Sequence, residues 1–156
     1  MITDYIDKII NGNCVEVMKQ LPDNSIDLVV TSPPYDNLRT YKGYTFPFED
    51  IVAQLYRIIK EGGVVVWVVS DATVNGSETC TSFRQALTFV AKGFKLHDTM
   101  IFQKTNPVPQ IYRKRYTNVF EYMFVFSKGN VATHNPIKVP CLHAGLELKG
   151  TTYKNY

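Results

Sequence analysis

Ile26-Asp27-Leu28-Val29-Val30-Thr31-Ser32-Pro33-Pro34-Tyr35 is the stretch on which the reading of the fold turns. Ile26 to Val30 is a near-continuous apolar run, the pattern of a strand buried on both faces. It stops abruptly at Ser32-Pro33-Pro34-Tyr35. Each proline fixes its own φ and drives the residue before it into an extended conformation, so the strand runs into a stiff turn. Neither proline has an N–H, and the turn therefore offers acceptors and few donors. Ligands of open α/β sheets bind beyond the carboxyl ends of the strands. The tetrapeptide thus reads equally as a site and as a stiff loop after a strand.

The flanking sequence alternates apolar runs with helical patterns. Asp7 to Asn11, with Ile9 and Ile10, predicts a short strand closed by Asn11-Gly12-Asn13. Cys14 to Leu21 places Val15, Met18 and Leu21 at helical spacing and ends at Pro22. Glu49 to Lys60 puts Ile51, Leu55, Ile58 and Ile59 on one helix face, with acids at its start and Glu61-Gly62-Gly63 as its stop. Val64 to Val69 predicts a strand, Thr81 to Lys92 a helix ended by Gly93, and Phe94 to Gln103 and Asn118 to Phe126 two more strands. Strands alternating with helices predict an α/β fold, a doubly wound, mostly parallel sheet covered on both faces. The last two strands lack a crossover helix and predict an antiparallel edge. Residues 1–128 carry this pattern, and 129–156 read as an irregular tail.

Composition narrows the classes. The chain has 156 residues, 45% hydrophobic and 13% aromatic, which fits a globular domain and excludes a disordered or collagen-like chain. Seventeen basic against fourteen acidic residues give +3, compatible with a polyanionic partner. The longest apolar run, Val64 to Val69, has six residues, against the ~20 of a membrane helix. Cys14, Cys80 and Cys141 are scattered without a CxxC, which suggests thiols in a reducing cytoplasm. His97, His134 and His143 are too dispersed to suggest a metal site.

An acceptor-rich turn suits a planar amine. The lone pair of an exocyclic amino group is delocalised into its ring and is a poor nucleophile. The Ser32 hydroxyl and Pro33 carbonyl could hold both amine hydrogens and favour a pyramidal nitrogen, with catalysis arising from positioning and fixed dipoles. Tyr35 offers an aromatic face for a flipped base.

The segments Asn11-Gly12-Asn13-Cys14 and Leu21 through Tyr35, with Glu61-Gly62-Gly63 and Val119 to Lys128, resemble the amino-directed DNA methyltransferases, which modify cytosine N4 or adenine N6. The resemblance covers about residues 5–128 and is to the permuted branch, in which the Ser/Asp-Pro-Pro-Tyr motif comes first. It implies a Rossmann-like fold, S-adenosyl-L-methionine as cofactor, double-stranded DNA as partner and no metal; a homodimer is compatible with it. Ser32, Pro33, Pro34 and Tyr35 fall on the catalytic motif. Asn13, Cys14 and Ser32 fall at the cofactor. Asn13 stands where the family commonly has an acid, and Cys14 reads first as a buried core thiol. The family's glycine-rich cofactor motif has no counterpart here; in the permuted branch it would lie beyond Tyr156, so the chain looks like the front of a longer enzyme. Serine before Pro-Pro-Tyr leans towards cytosine N4. Pro140-Cys141 resembles a cytosine-C5 nucleophile, but without a core strand before it.

Two loops bear the expected DNA contacts. Thr99 to Phe120 holds Lys104, Arg113, Lys114 and Arg115 without an acid, flanked by Tyr112 and Tyr116. The loop after Tyr35 adds Arg39, Tyr41 and Lys42. Both read equally as solvated loops, and Asp71 and Asn75 equally as turn caps. Rival functions are a non-catalytic DNA-binding remnant and a protein glutamine N-methyltransferase.

Overall fold

The computed structural model describes residues 2–34, 46–110 and 114–138. After a 3-10 turn at Ile2–Tyr5, the chain forms α1 (Cys14–Gln20), β1 (Ile26–Thr31), α2 (Phe48–Ile58) and β2 (Ile59–Val69). A small hairpin of β3 (Thr73–Val74) and β4 (Ser77–Glu78) follows, then α3 (Thr81–Lys92), β5 (Lys95–Gln103) and β6 (Phe120–Ser127). The main sheet has the order β1-β2-β6-β5. β1 and β2 are parallel, with Leu28 opposite Val64 and Thr31 opposite Trp67. β6 runs antiparallel to β2 on one side and to β5 on the other. The α/β class expected from the sequence is the one found.

The reversed strand is not at the edge, as the sequence led us to expect, but inside the sheet. β6 carries Phe124 and Phe126, both buried, and suits a central slot. β5 carries Lys95, His97 and Asp98, residues that suit an edge. The expected strand at 7–11 does not form. Ile9 is fully exposed and Ile10 is 45% exposed, so this apolar pair finds no strand to lie beside among the described residues. β1 forms as expected but is not buried on both faces, since Leu28 and Val30 are 56% and 65% exposed. α2 stops at Ile58, and β2 starts directly at Ile59 and runs through Glu61-Gly62-Gly63. Those glycines sit in a strand irregularity rather than a turn: the β1 register shifts there, and Gly62 has φ +80° with Ala132 packed where a Cβ would stand.

The core lies between the sheet and the three helices. Val65, Trp67 and Val69 alternate inward from β2 and meet Ile51, Val52, Leu55 and Ile58 of α2, and Phe89 of α3. Phe89 stacks on Phe126 with ring centroids 4.2 Å apart and meets Trp67 edge-on at 5.0 Å. The buried Trp67 indole donates to Gln85 Oε1 at 2.8 Å. Two cations close the helix ends remote from β1's carboxyl terminus. Arg57 donates to the Met18 carbonyl in the last turn of α1 and to the Leu21 carbonyl just after it. Lys128 Nζ donates to the Tyr56 carbonyl in the last turn of α2 and to the Ile59 carbonyl just after it, satisfying acceptors that a helix end leaves open. Among the described residues no helix is long and apolar enough to cross a membrane.

Candidate active site

β1 and β2 are parallel, so Ser32-Pro33-Pro34 after β1 and Ser70-Asp71 after β2 leave the same end of the sheet. β5 ends there too, because Gln103 pairs with Phe120 at the start of the reversed β6. The 104–119 loop therefore stands at the end where β1 delivers Ser32. Ser32 is exposed, and Pro33 and Pro34 are half-buried. A groove of about 820 Å3 opens at this end, lined by Ser70, Asp71, Lys104, Asn106, Lys114 and Glu121 among others.

The polar groups of this groove divide into framework and free edge. Asp71 accepts from the Ser82 backbone N–H at 2.9 Å, from the Ser82 hydroxyl, and from Thr79 Oγ1 at 3.4 Å. It caps the N-terminus of α3, a role that Cys80, in the left-handed region, does not fill with its own side chain. Asn75 and Gly76 have φ of 50° and 81° and form the two-residue turn of the β3–β4 hairpin. Asn75 is thus a turn residue. Arg115 donates to the Gly76 carbonyl at 2.8 Å and to Glu78 Oε1 at 3.2 Å, fastening the basic loop to that hairpin. Lys104 pairs with Glu121 at 3.2 Å, and its backbone N–H reaches the Val119 carbonyl, closing the loop's base. Lys114 is exposed and Tyr116 fully so.

Of the residues expected from sequence, Ser32, Pro33 and Pro34 are brought to this end together with Lys114 and Arg115. Tyr35, Arg39, Tyr41, Lys42, Tyr112 and Arg113 lie outside the described residues. Asn13 begins α1, and its Oδ1 accepts from Val15 N at 3.0 Å and Glu16 N at 3.4 Å as the helix N-cap. The far end of that helix is the one held by Arg57, remote from Ser32, so Asn13 and Cys14 belong to its opposite end. Cys14 is exposed and not the buried core thiol expected from sequence. The groove residues Asn106 and Asn118 escaped the sequence reading, which followed charge and aromaticity and passed over amides. The Asn75-Gly76 hairpin was a readable signal, since that pair between short strands is the strongest local mark of such a turn.

Residues 26–152, starting at the first residue of β1, match the sequence pattern of a family described as DNA methylase. The chain belongs to this N6/N4 DNA methylase family. Among curated members, the orphan methyltransferase M.BamHII of Bacillus amyloliquefaciens is 58% identical over 118 residues, covering 75% of this chain and 44% of that protein. The type II methyltransferase M.MwoI of Methanothermobacter wolfeii is 31% identical over 153 residues, covering 85% of this chain and 23% of its own length. The chain thus spans less than half the length of these relatives. Its fold matches that of PvuII DNA methyltransferase, cytosine-N4-specific, with a TM-score of 0.63 at 23% identity, over 77% of this chain and 48% of that one. A DNA modification methylase from Thermus thermophilus, in complex with S-adenosyl-L-methionine, matches with a TM-score of 0.61 at 24% identity, over 81% and 57%.

Proposed function

We propose that the chain is the amine-binding part of an S-adenosyl-L-methionine-dependent DNA methyltransferase acting on an exocyclic amino group, cytosine N4 ahead of adenine N6. The observation that carries this reading is the exposed Ser32-Pro33-Pro34 turn at the carboxyl end of a parallel strand, at the same end of the sheet as a polar groove and a basic loop. Residues 1–128 form the catalytic part in this proposal, and 129–156 begin a target-recognition or cofactor-binding region.

The residues present fit one side of the cofactor. Ser32 is an exposed donor and acceptor, and Asn13, whose Oδ1 is engaged by α1, keeps an amide NH2 that can donate. With Cys14 they would hold that side; no glycine-rich strand-to-helix turn for the other side occurs among the described residues. S-adenosyl-L-methionine, when bound, supplies an electrophilic methyl group. Ser32 Oγ and the Pro33 carbonyl accept the two amine hydrogens and align the nitrogen lone pair. Tyr35 stacks on the extruded base, an interaction worth ~1–3 kcal/mol. As the nitrogen becomes positively charged, the same two oxygens stabilise it, and its surplus proton passes through the Ser32 hydroxyl to solvent water.

The test is methyl transfer to duplex DNA by this chain fused to the part of M.BamHII outside the match. We expect N4-methylcytosine, with a Ser32→Ala rate lower by about 10²-fold, the scale of one lost preorganised hydrogen bond. Product on adenine N6 instead would correct the base, and no product on either would remove the reading.

A further inference from the structure

Three of the four tyrosines among the described residues have partners. Tyr56 meets Phe94 edge-on and lies beneath Lys128, Tyr122 stacks on Phe124, and the Tyr5 hydroxyl donates to Gln20. Tyr116 is fully exposed, with neither a ring nor a hydrogen-bond partner among the described residues. A ring left bare in water is informative, because tyrosine carries ~150–250 Å2 of surface that folding normally buries in large part.

The backbone on either side of this ring is pinned. Before it, Arg115 donates to the Gly76 carbonyl and to Glu78 of the β3–β4 hairpin. After it, Thr117 Oγ1 accepts from the Gln110 backbone N–H at 3.4 Å. Lys114 turns the chain in the left-handed region, at φ 54°, and Lys104 closes the base of the loop. The ring is therefore held out from a fastened loop. Tyr116 lines the groove of about 820 Å3 and, being wholly exposed, stands at its rim beside the exposed Lys114. A ring laid against a groove wall offers one face to a ligand. This ring has both faces free, the condition for entering a stack between two bases.

Extruding a base into the groove breaks its stacking on both neighbours and leaves a gap in the duplex. We propose that Tyr116 fills that gap. Its ring enters the stack as the target base swings out, and Lys114 neutralises a phosphate beside it. The proposal deepens the functional reading, on which it rests for DNA as the partner. It gives Tyr116 a task separate from that of Tyr35: one ring holds the duplex open and the other receives the extruded base.

The experiment titrates the 156-residue chain with two duplexes of one sequence, one intact and one with a single abasic site beside a 2-aminopurine. The abasic duplex offers a ready-made gap and needs no recognition sequence. We expect it to bind about tenfold more tightly, the scale of one base–aromatic stack, with quenching of the 2-aminopurine as the ring stacks on it. Tyr116→Ala should abolish both effects, and Tyr116→Phe should keep them, since the ring and not the hydroxyl fills the gap. On the intact duplex Tyr116→Ala should leave the slope of log affinity against log salt unchanged, because a neutral ring neutralises no phosphate. The side chain is fully exposed, so the circular dichroism of both variants should match that of the parent chain. Equal affinity for the two duplexes overturns the proposal, as does a preference that survives Tyr116→Ala or a failure to bind either duplex. Methyl transfer by the fusion is scored separately. Transfer without an abasic preference removes the wedge and keeps the functional reading; the preference without transfer keeps the wedge and removes the reading.

Discussion

Asp71 illustrates how one residue's surroundings decide between two chemistries. A carboxylate in a groove at the carboxyl ends of strands invites a catalytic reading. Here both of its oxygens are committed to the first turn of α3 through Ser82 and Thr79. Asp71→Ala should therefore lower stability by ~0.5–2 kcal/mol, the cost of a lost cap, measured by urea unfolding. Unchanged stability would return Asp71 to the list of candidate site residues. Trp67 gives a sharper case. Its indole N–H is buried and has Gln85 as acceptor, so Gln85→Leu leaves a donor unpaired and should cost ~1–3 kcal/mol in the same measurement. A loss smaller than that would mean that water reaches the indole.

At the scale of elements, the basic loop divides into a tether and a free charge. Arg115 is occupied by Gly76 and Glu78 of the hairpin, whereas Lys114 is exposed. In DNA binding by the fused protein, Lys114→Ala should reduce the slope of log affinity against log salt by ~0.9, as one phosphate contact does. Arg115→Ala should weaken binding with little change of slope, because it loosens the loop without removing a phosphate contact. Equal slope changes for both would show that Arg115 leaves the hairpin for DNA. The hairpin was overlooked although Asn75-Gly76 marks it, whereas α3 was legible to its last residue because Gly93, at φ +115°, supplies the left-handed cap. Ile9-Ile10 misled for a physical reason. An apolar pair reports a tendency to be buried, and strand formation needs a neighbour that local sequence cannot specify.

At the scale of the whole molecule, the same limit explains what the valine strand could and could not reveal. Val64 to Val69 is apolar at every position, and both faces of β2 were expected to be covered. That expectation concerned β2; whether the covering layer belongs to the residues described was beyond its reach. The site followed a similar course. Ser32-Pro33-Pro34 was placed by its motif, while the framework roles of Asp71, Asn75 and Arg115 depended on contacts between segments far apart in sequence. An incompletely covered sheet has a measurable consequence for the isolated chain. A dye that fluoresces on apolar protein surface should bind it at neutral pH while its near-ultraviolet circular dichroism stays native, separating a bare native face from a molten state. Absence of dye binding would mean that Val30 and Met100, 65% and 48% exposed here, are not accessible in solution.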